Sequence, residues 1–153
     1  MNIDFFQDVE TIIIKDKLGN FLAVDEDFVY TFQAFVKLSG HSCPTVAGAY
    51  LMTIKALKEL YKDELPVRGE IRVELRDSKS SGTTGVLANV ASFITGAKEE
   101  DGFKGLQGQY FRNNLLKYEA PIKGDMRFTR LDNQEKVEVM YDLSNISLSA
   151  FDG

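Results

Sequence analysis

The sequence predicts an α+β fold, a mixed or antiparallel sheet packed on a long central helix. Three observations predict it. An apolar helical pattern runs from Pro44 or Thr45 to Tyr61. An alternating strand pattern follows at Gly69–Arg76. Two further strand patterns, Asp125–Leu131 and Lys136–Leu143, come after a second helical segment. Strands and helices thus mix without the regular βαβ alternation of a doubly wound sheet.

Taken in order, Val9–Ile14 is apolar and β-branched and reads as a strand. Lys15-Asp16-Lys17-Leu18-Gly19-Asn20 is either a hairpin turn into a strand Phe21–Val24 or the start of a short helix through Phe21 and Leu22. Short apolar runs do not separate the two. Phe28–Thr31 reads as a short extended piece. Phe32, Phe35, Val36 and Leu38 have helical spacing, and Gly40 can end that helix at its C′ position. In the 44–61 helix, Val46, Tyr50, Ile54, Leu57 and Tyr61 form one apolar stripe. Ala47, Gly48, Ala49 and Leu51 make its first half apolar all round, so that half is expected to be buried, in this chain or against a partner chain. Its small residues suit a dimer packed around it. The charges, Lys55, Lys58, Glu59 and Lys62, come late, and the lysines suit the negative end of the helix dipole.

In Gly69–Arg76, Ile71, Val73 and Leu75 share one face and Glu70, Arg72, Glu74 and Arg76 the other, the pattern of a half-buried strand. Ser78–Gly85 is a polar loop. Val86, Val90, Phe93 and Ile94 support a helix, with Gly96 past its end. Ala97–Gly108 is loop-like, Tyr110–Tyr118 fits neither pattern, and Asp132-Asn133-Gln134-Glu135 is the turn between the last two strands.

The 153 residues suit one domain, 1–153, with enough chain to bury a core without staples. With 44% hydrophobic and 27% charged residues, disordered and collagen-like classes are excluded. A single cysteine cannot form an internal disulfide. The acidic N-terminal segment lacks the basic start and apolar run of a signal peptide, and no stretch approaches the ~20 apolar residues of a membrane span. A reducing cytoplasm is the expected location. The net charge of −5, without a basic block, argues against nucleic acid as a partner.

The segment richest in chemistry is Gly40-His41-Ser42-Cys43-Pro44, which holds the only histidine and the only cysteine. Proline is favoured at the first helical position, where its missing N–H costs nothing. With Pro44 there, Cys43 is the N-cap, beside unpaired N–H groups that favour the thiolate. His41 lies two residues back and can converge on the same point. Imidazole and thiolate together suit zinc, copper, nickel or iron. Alternatively Cys43 is a nucleophile with His41 as its base, or Cys43 is a small buried apolar residue and His41 a hydrogen-bonded bystander. Zinc sites normally take three or four protein ligands, so this pair needs completion.

Asp77, just past the central strand, is the first choice for an added metal ligand or acid–base group; the alternative is a solvated turn. Ser80-Ser81-Gly82-Thr83-Thr84-Gly85 precedes a helix start and can offer N–H groups and hydroxyls to a small anion or cofactor, with Ser80, Gly82 and Thr83 as the contacts. It lacks the Gly-Lys-Ser/Thr of a P-loop, and it can equally be a capping loop. Lys104, Arg112 and Asn113 are either surface residues or contacts for an anionic substrate.

Gly40-His41-Ser42-Cys43-Pro44, followed by Thr45-Val46-Ala47-Gly48-Ala49-Tyr50-Leu51, resembles the Gly-His-x-Cys-Pro signature of the FmdE family, named for formylmethanofuran dehydrogenase. The likeness extends upstream through Phe28–Ser39 and downstream through Thr95-Gly96, roughly Ile12 to Leu116. It implies an α+β core, a homodimer, and a metal or active site at His41 and Cys43. The metal is zinc first, with nickel or iron as alternatives. The family takes its name from an operon with a molybdenum or tungsten enzyme, so the resemblance implies either an enzyme or an accessory to such a metalloenzyme. Family members often carry a further cysteine after the central strand and an acidic residue in the next helix. Here Asp77–Gly85 holds no cysteine, and the cysteine-rich zinc finger of longer members is absent. Any metal must be completed differently, with Asp77 as the candidate.

Overall fold

The computed structural model describes residues 12–18, 22, 28–30, 44–106, 109–141 and 146–151. The Gly40–Cys43 segment, the helical spacing of Phe32–Leu38 and the start of the Val9–Ile14 strand lie outside the described residues.

The fold is α+β. A three-stranded sheet has the order β2-β1-β3, built from β1 (Ile12–Asp16), β2 (Phe28–Tyr30) and β3 (Val67–Arg68). A five-stranded sheet has the order β5-β4-β6-β7-β8. Its strands are β4 (Ile71–Leu75), β5 (Leu116–Lys117), β6 (Met126–Arg130), β7 (Lys136–Tyr141) and β8 (Ile146–Phe151). The sheets are mixed: β1–β3 and β4–β5 are parallel and the other pairs antiparallel. Of the segment after β1 only Lys17, Leu18 and Leu22 are described, so the expected strand Phe21–Val24 lies, Leu22 apart, outside the described residues. Lys17 and Leu18 are helical, Leu22 N–H donates to Leu18 O at 3.0 Å, and the antiparallel partner of β1 is β2.

Helix α1 spans Pro44–Tyr61. Its stripe, Val46, Tyr50, Ile54, Leu57 and Tyr61, is buried throughout, and each such side chain contributes roughly 1.5–3 kcal/mol through burial. The small-residue half, Ala47 to Ala49, is also buried, and this chain alone buries it. α1 packs on β6, β7, β8 and on α2 (Thr84–Thr95). α2 begins two residues before the apolar pattern. It ends at Gly96, whose φ of +77° is the left-handed conformation glycine adopts without strain and whose N–H donates to Ser92 O at 2.8 Å.

The alternation in β4 sets the core. Ile71, Val73 and Leu75 are buried, and the register Ile71↔Arg130 to Leu75↔Met126 aligns them with buried Phe128 and Met126. Val137 and Val139 of β7 complete this inner face. On the other face Arg127 grips Glu74 across the strands, Nε–Oε1 3.0 Å and Nη2–Oε2 2.8 Å. Glu138 Oε1 accepts the N–H groups of Lys123 and Gly124.

Both helices finish at one end of the fold. Arg130 Nη1 donates to Leu60 O at 3.1 Å, and Gly69 N–H donates to Thr95 O at 2.7 Å. Arg130 is the register partner of Ile71 and Gly69 closely precedes β4, so both helices finish beside the start of β4, while α2 begins after the loop that follows the end of β4.

Candidate functional site

His41 and Cys43 lie outside the described residues, and α1 starts at Pro44, as a proline at the first helical position requires. Asp77 follows β4 as expected. Its side chain is 47% exposed and receives Arg76 Nε at 3.3 Å. That hydrogen bond raises the Arg76 pKa. In the following loop Ser80, Gly82 and Thr83 are exposed. The Thr83 side chain makes no capping bond; its carbonyl instead accepts the N–H groups of Val86 and Leu87. Lys104 is exposed and Asn113 half-buried. Among the described residues no group of three or more His, Cys, Asp or Glu side chains is placed to hold a metal ion.

Arg112 departs from a surface role: its side chain is only 8% exposed. Its Nη2 donates to Asp16 Oδ1 at 2.7 Å, while Arg68 Nη1 donates to Asp16 Oδ2 at 3.1 Å. One carboxylate at the end of β1, 5% exposed, thus holds two guanidinium groups, one on each oxygen. Arg68 is further fixed by donating Nε and Nη2 to Phe93 O, at 3.2 and 2.9 Å. Arg112 lies in a slot walled by two glycines. A Cβ on Gly69 would stand 2.8 Å from its Nε, and one on Gly96 would collide with its Nη1. The slot exists because both positions have positive φ and no side chain.

Two clefts meet at this cluster. One, of about 440 Å³, is lined by Lys17, Leu18, Arg68, Tyr110, Phe111 and Arg112, among others. The second, of about 530 Å³, shares Leu18, Arg68 and Arg112 and adds Phe103, Lys98 and Gly96. The wall between them is tied down, since Phe103 O accepts both Arg112 N–H (2.7 Å) and Asn113 N–H (3.1 Å).

Asp16 and Arg68 escape a reading of the sequence because the partners in this cluster are 52 and 96 residues apart. The accessible signal was an aspartate closing an apolar strand, which is also how many turns begin.

A further cluster closes α1. Arg130 lies over the Tyr61 ring, 4.2 Å from its centroid, and binds Glu64 and Asp132. Burial pushes the Tyr61 pKa up to about 12, against the lowering effects of a bond to the Val67 backbone and of Arg130. The Asp132 hydrogen bond raises the Arg130 pKa.

No helix among the described residues is long and apolar enough to cross a membrane. In comparisons with family models, curated proteins and solved structures, none matches this chain.

Proposed function

We propose that the chain is a single-domain, homodimeric metal-binding protein of the FmdE type. In this reading His41 and Cys43 hold a transition metal, zinc foremost, ahead of α1. Asp77 is the third ligand, and solvent or a second copy of the chain completes the set. The protein then acts as an enzyme or as an accessory to a larger metalloenzyme.

The observation that carries this reading is the start of α1 at Pro44, immediately after Gly40-His41-Ser42-Cys43. A thiolate there is favoured by the positive end of an 18-residue helix dipole. Asp77 supports it as a carboxylate, an oxygen ligand of the kind zinc takes, just past the end of β4. The carboxylate is exposed and its bond to Arg76 is a surface pair, weak enough to yield to a cation. Zinc with an open position supplies activated water. His41 and Cys43 would be both its ligands and the groups nearest the reaction.

Metal analysis of the purified protein tests this. The wild type is expected to retain about one equivalent of metal per chain, and the His41→Ala/Cys43→Ser variant to lose it while remaining folded. Equal metal content in the two sinks the proposal.

A further inference from the structure

The outer face of the five-stranded sheet carries two neighbouring rows of side chains. Residues opposite one another on paired antiparallel strands share a face. In one row Glu74 of β4, Arg127 of β6 and Glu138 of β7 stand side by side in register. Each charge in it is engaged. Arg127 holds Glu74 through two bonds, and Glu138 accepts two backbone N–H groups. The row beside it, two residues along each strand, is Arg72, Thr129 and Lys136. It consists of donors, and none of them has an acceptor among the described residues.

Arg72 is the telling member. Of the six arginines in the sequence, Arg68, Arg76, Arg112, Arg127 and Arg130 each bind a carboxylate. Arg72 pairs with none among the described residues, although its Nε is sealed from solvent. A buried donor without an acceptor is rare in a folded chain and calls for a partner from outside it. The carboxylates on the same face are already committed: Glu70 to Lys17 at 3.1 Å, Glu74 to Arg127, and Glu138 to the backbone. Beside Arg72, Thr129 is 3% exposed and its hydroxyl makes no bond among the described residues; beside that stands the Lys136 ammonium, equally unbonded.

We propose that the row Arg72, Thr129 and Lys136 binds a phosphate group. Neighbouring positions across strands lie about 5 Å apart, so the two long side chains flank the hydroxyl and reach over it. A guanidinium with no acceptor breaks no bond in turning toward one that arrives from solvent. The three donors differ in kind and come from three strands. A tetrahedral phosphate offers oxygens to all of them, and its dianion matches the two cations. A carboxylate has one charge and two oxygens, which Arg72 alone would satisfy. The site differs from the Ser80–Thr83 loop, and it does not depend on the metal reading, because none of its residues is a proposed metal ligand.

The test is an NMR titration of the full chain with inorganic phosphate, glycerol 3-phosphate and acetate at constant ionic strength. Both phosphates are expected to give saturable shifts centred on the amides of Arg72, Thr129 and Lys136. The tighter of the two separates the free ion from a phosphoryl group carried on a larger molecule. Acetate is expected to bind about tenfold more weakly, and Arg72→Gln to weaken phosphate by a similar factor. Thr129→Val and Lys136→Gln should each weaken it about fivefold. If Arg72→Gln fails to fold, these two variants and acetate still decide the matter. The same result is expected in His41→Ala/Cys43→Ser, which keeps this test separate from that of the metal. No saturable shift with either phosphate, unchanged affinity in Thr129→Val and Lys136→Gln, acetate binding as tightly as phosphate, or shifts centred on Ser78–Gly85 would overturn the proposal.

Discussion

The two ends of this fold are built on different principles. Where the helices start, the chemistry is local: His41, Cys43 and Pro44 are near neighbours in sequence, and Asp77 and Ser80–Thr83 follow one strand. Where the helices finish, it is assembled from afar. Asp16, Arg68 and Arg112 come from β1, β3 and an irregular segment, and Arg130 and Tyr61 from β6 and α1. At the first end Asp77, Ser80, Gly82 and Thr83 are exposed, whereas at the second Asp16, Arg112 and Tyr61 are buried. An exposed ionic group can be exchanged at little cost to the fold, whereas a buried one holds its partners in place.

The strongest way to break this contrast is Asp16→Ala. It leaves buried Arg112 and half-buried Arg68 without their shared carboxylate, and a loss of about 3–5 kcal/mol is expected in urea unfolding. A loss below about 1 kcal/mol would mean that the cluster is not a fixed element. Gly96→Ala is next. The added methyl collides with Arg112 and forces a left-handed φ on alanine, and it should destabilise by about 1–3 kcal/mol.

Tyr61 sharpens the comparison through pH. Its pKa in the fold is about 12 against 10 for a free tyrosine. The raised value means that folding favours the neutral phenol. That contribution is fully present below pH 10 and is lost as the pH climbs from 10 toward 12, because the unfolded chain releases its proton first. Absorbance titration should show a late-ionising tyrosine that is lost in Tyr61→Phe, and that variant should flatten the fall in stability over that window.

The smallest effect is expected at the exposed end. Asp77→Asn should change stability by less than about 0.5 kcal/mol and yet lower the metal content of the purified protein. A large loss of stability with unchanged metal content would instead make Asp77 a structural residue.

Legibility followed sequence separation. The α1 stripe, the alternation of β4 and the glycine ending α2 were readable because each repeats within a few residues, and burial then selects one face. β5 was not, because Leu116–Lys117 is a two-residue strand with no period to detect. No strand was expected at Ile146–Phe151, which pairs with β7 as β8. Arg112 was singled out as a contact for an anion but with a surface position as the alternative, since its burial depends on Gly69 and Gly96, 43 and 16 positions away.

The sequence by itself determined the α+β class, the span and buried stripe of α1, and the position of a histidine and a cysteine in the chain just before its first residue, Pro44. These are matters of local period and chain order. Only the tertiary structure decided that α2 packs against α1, and that one aspartate holds two arginines beside a cleft. Such pairings are set by which buried charges can be neutralised and which backbones can approach closely, and residues far apart in the chain carry no shared pattern that announces it.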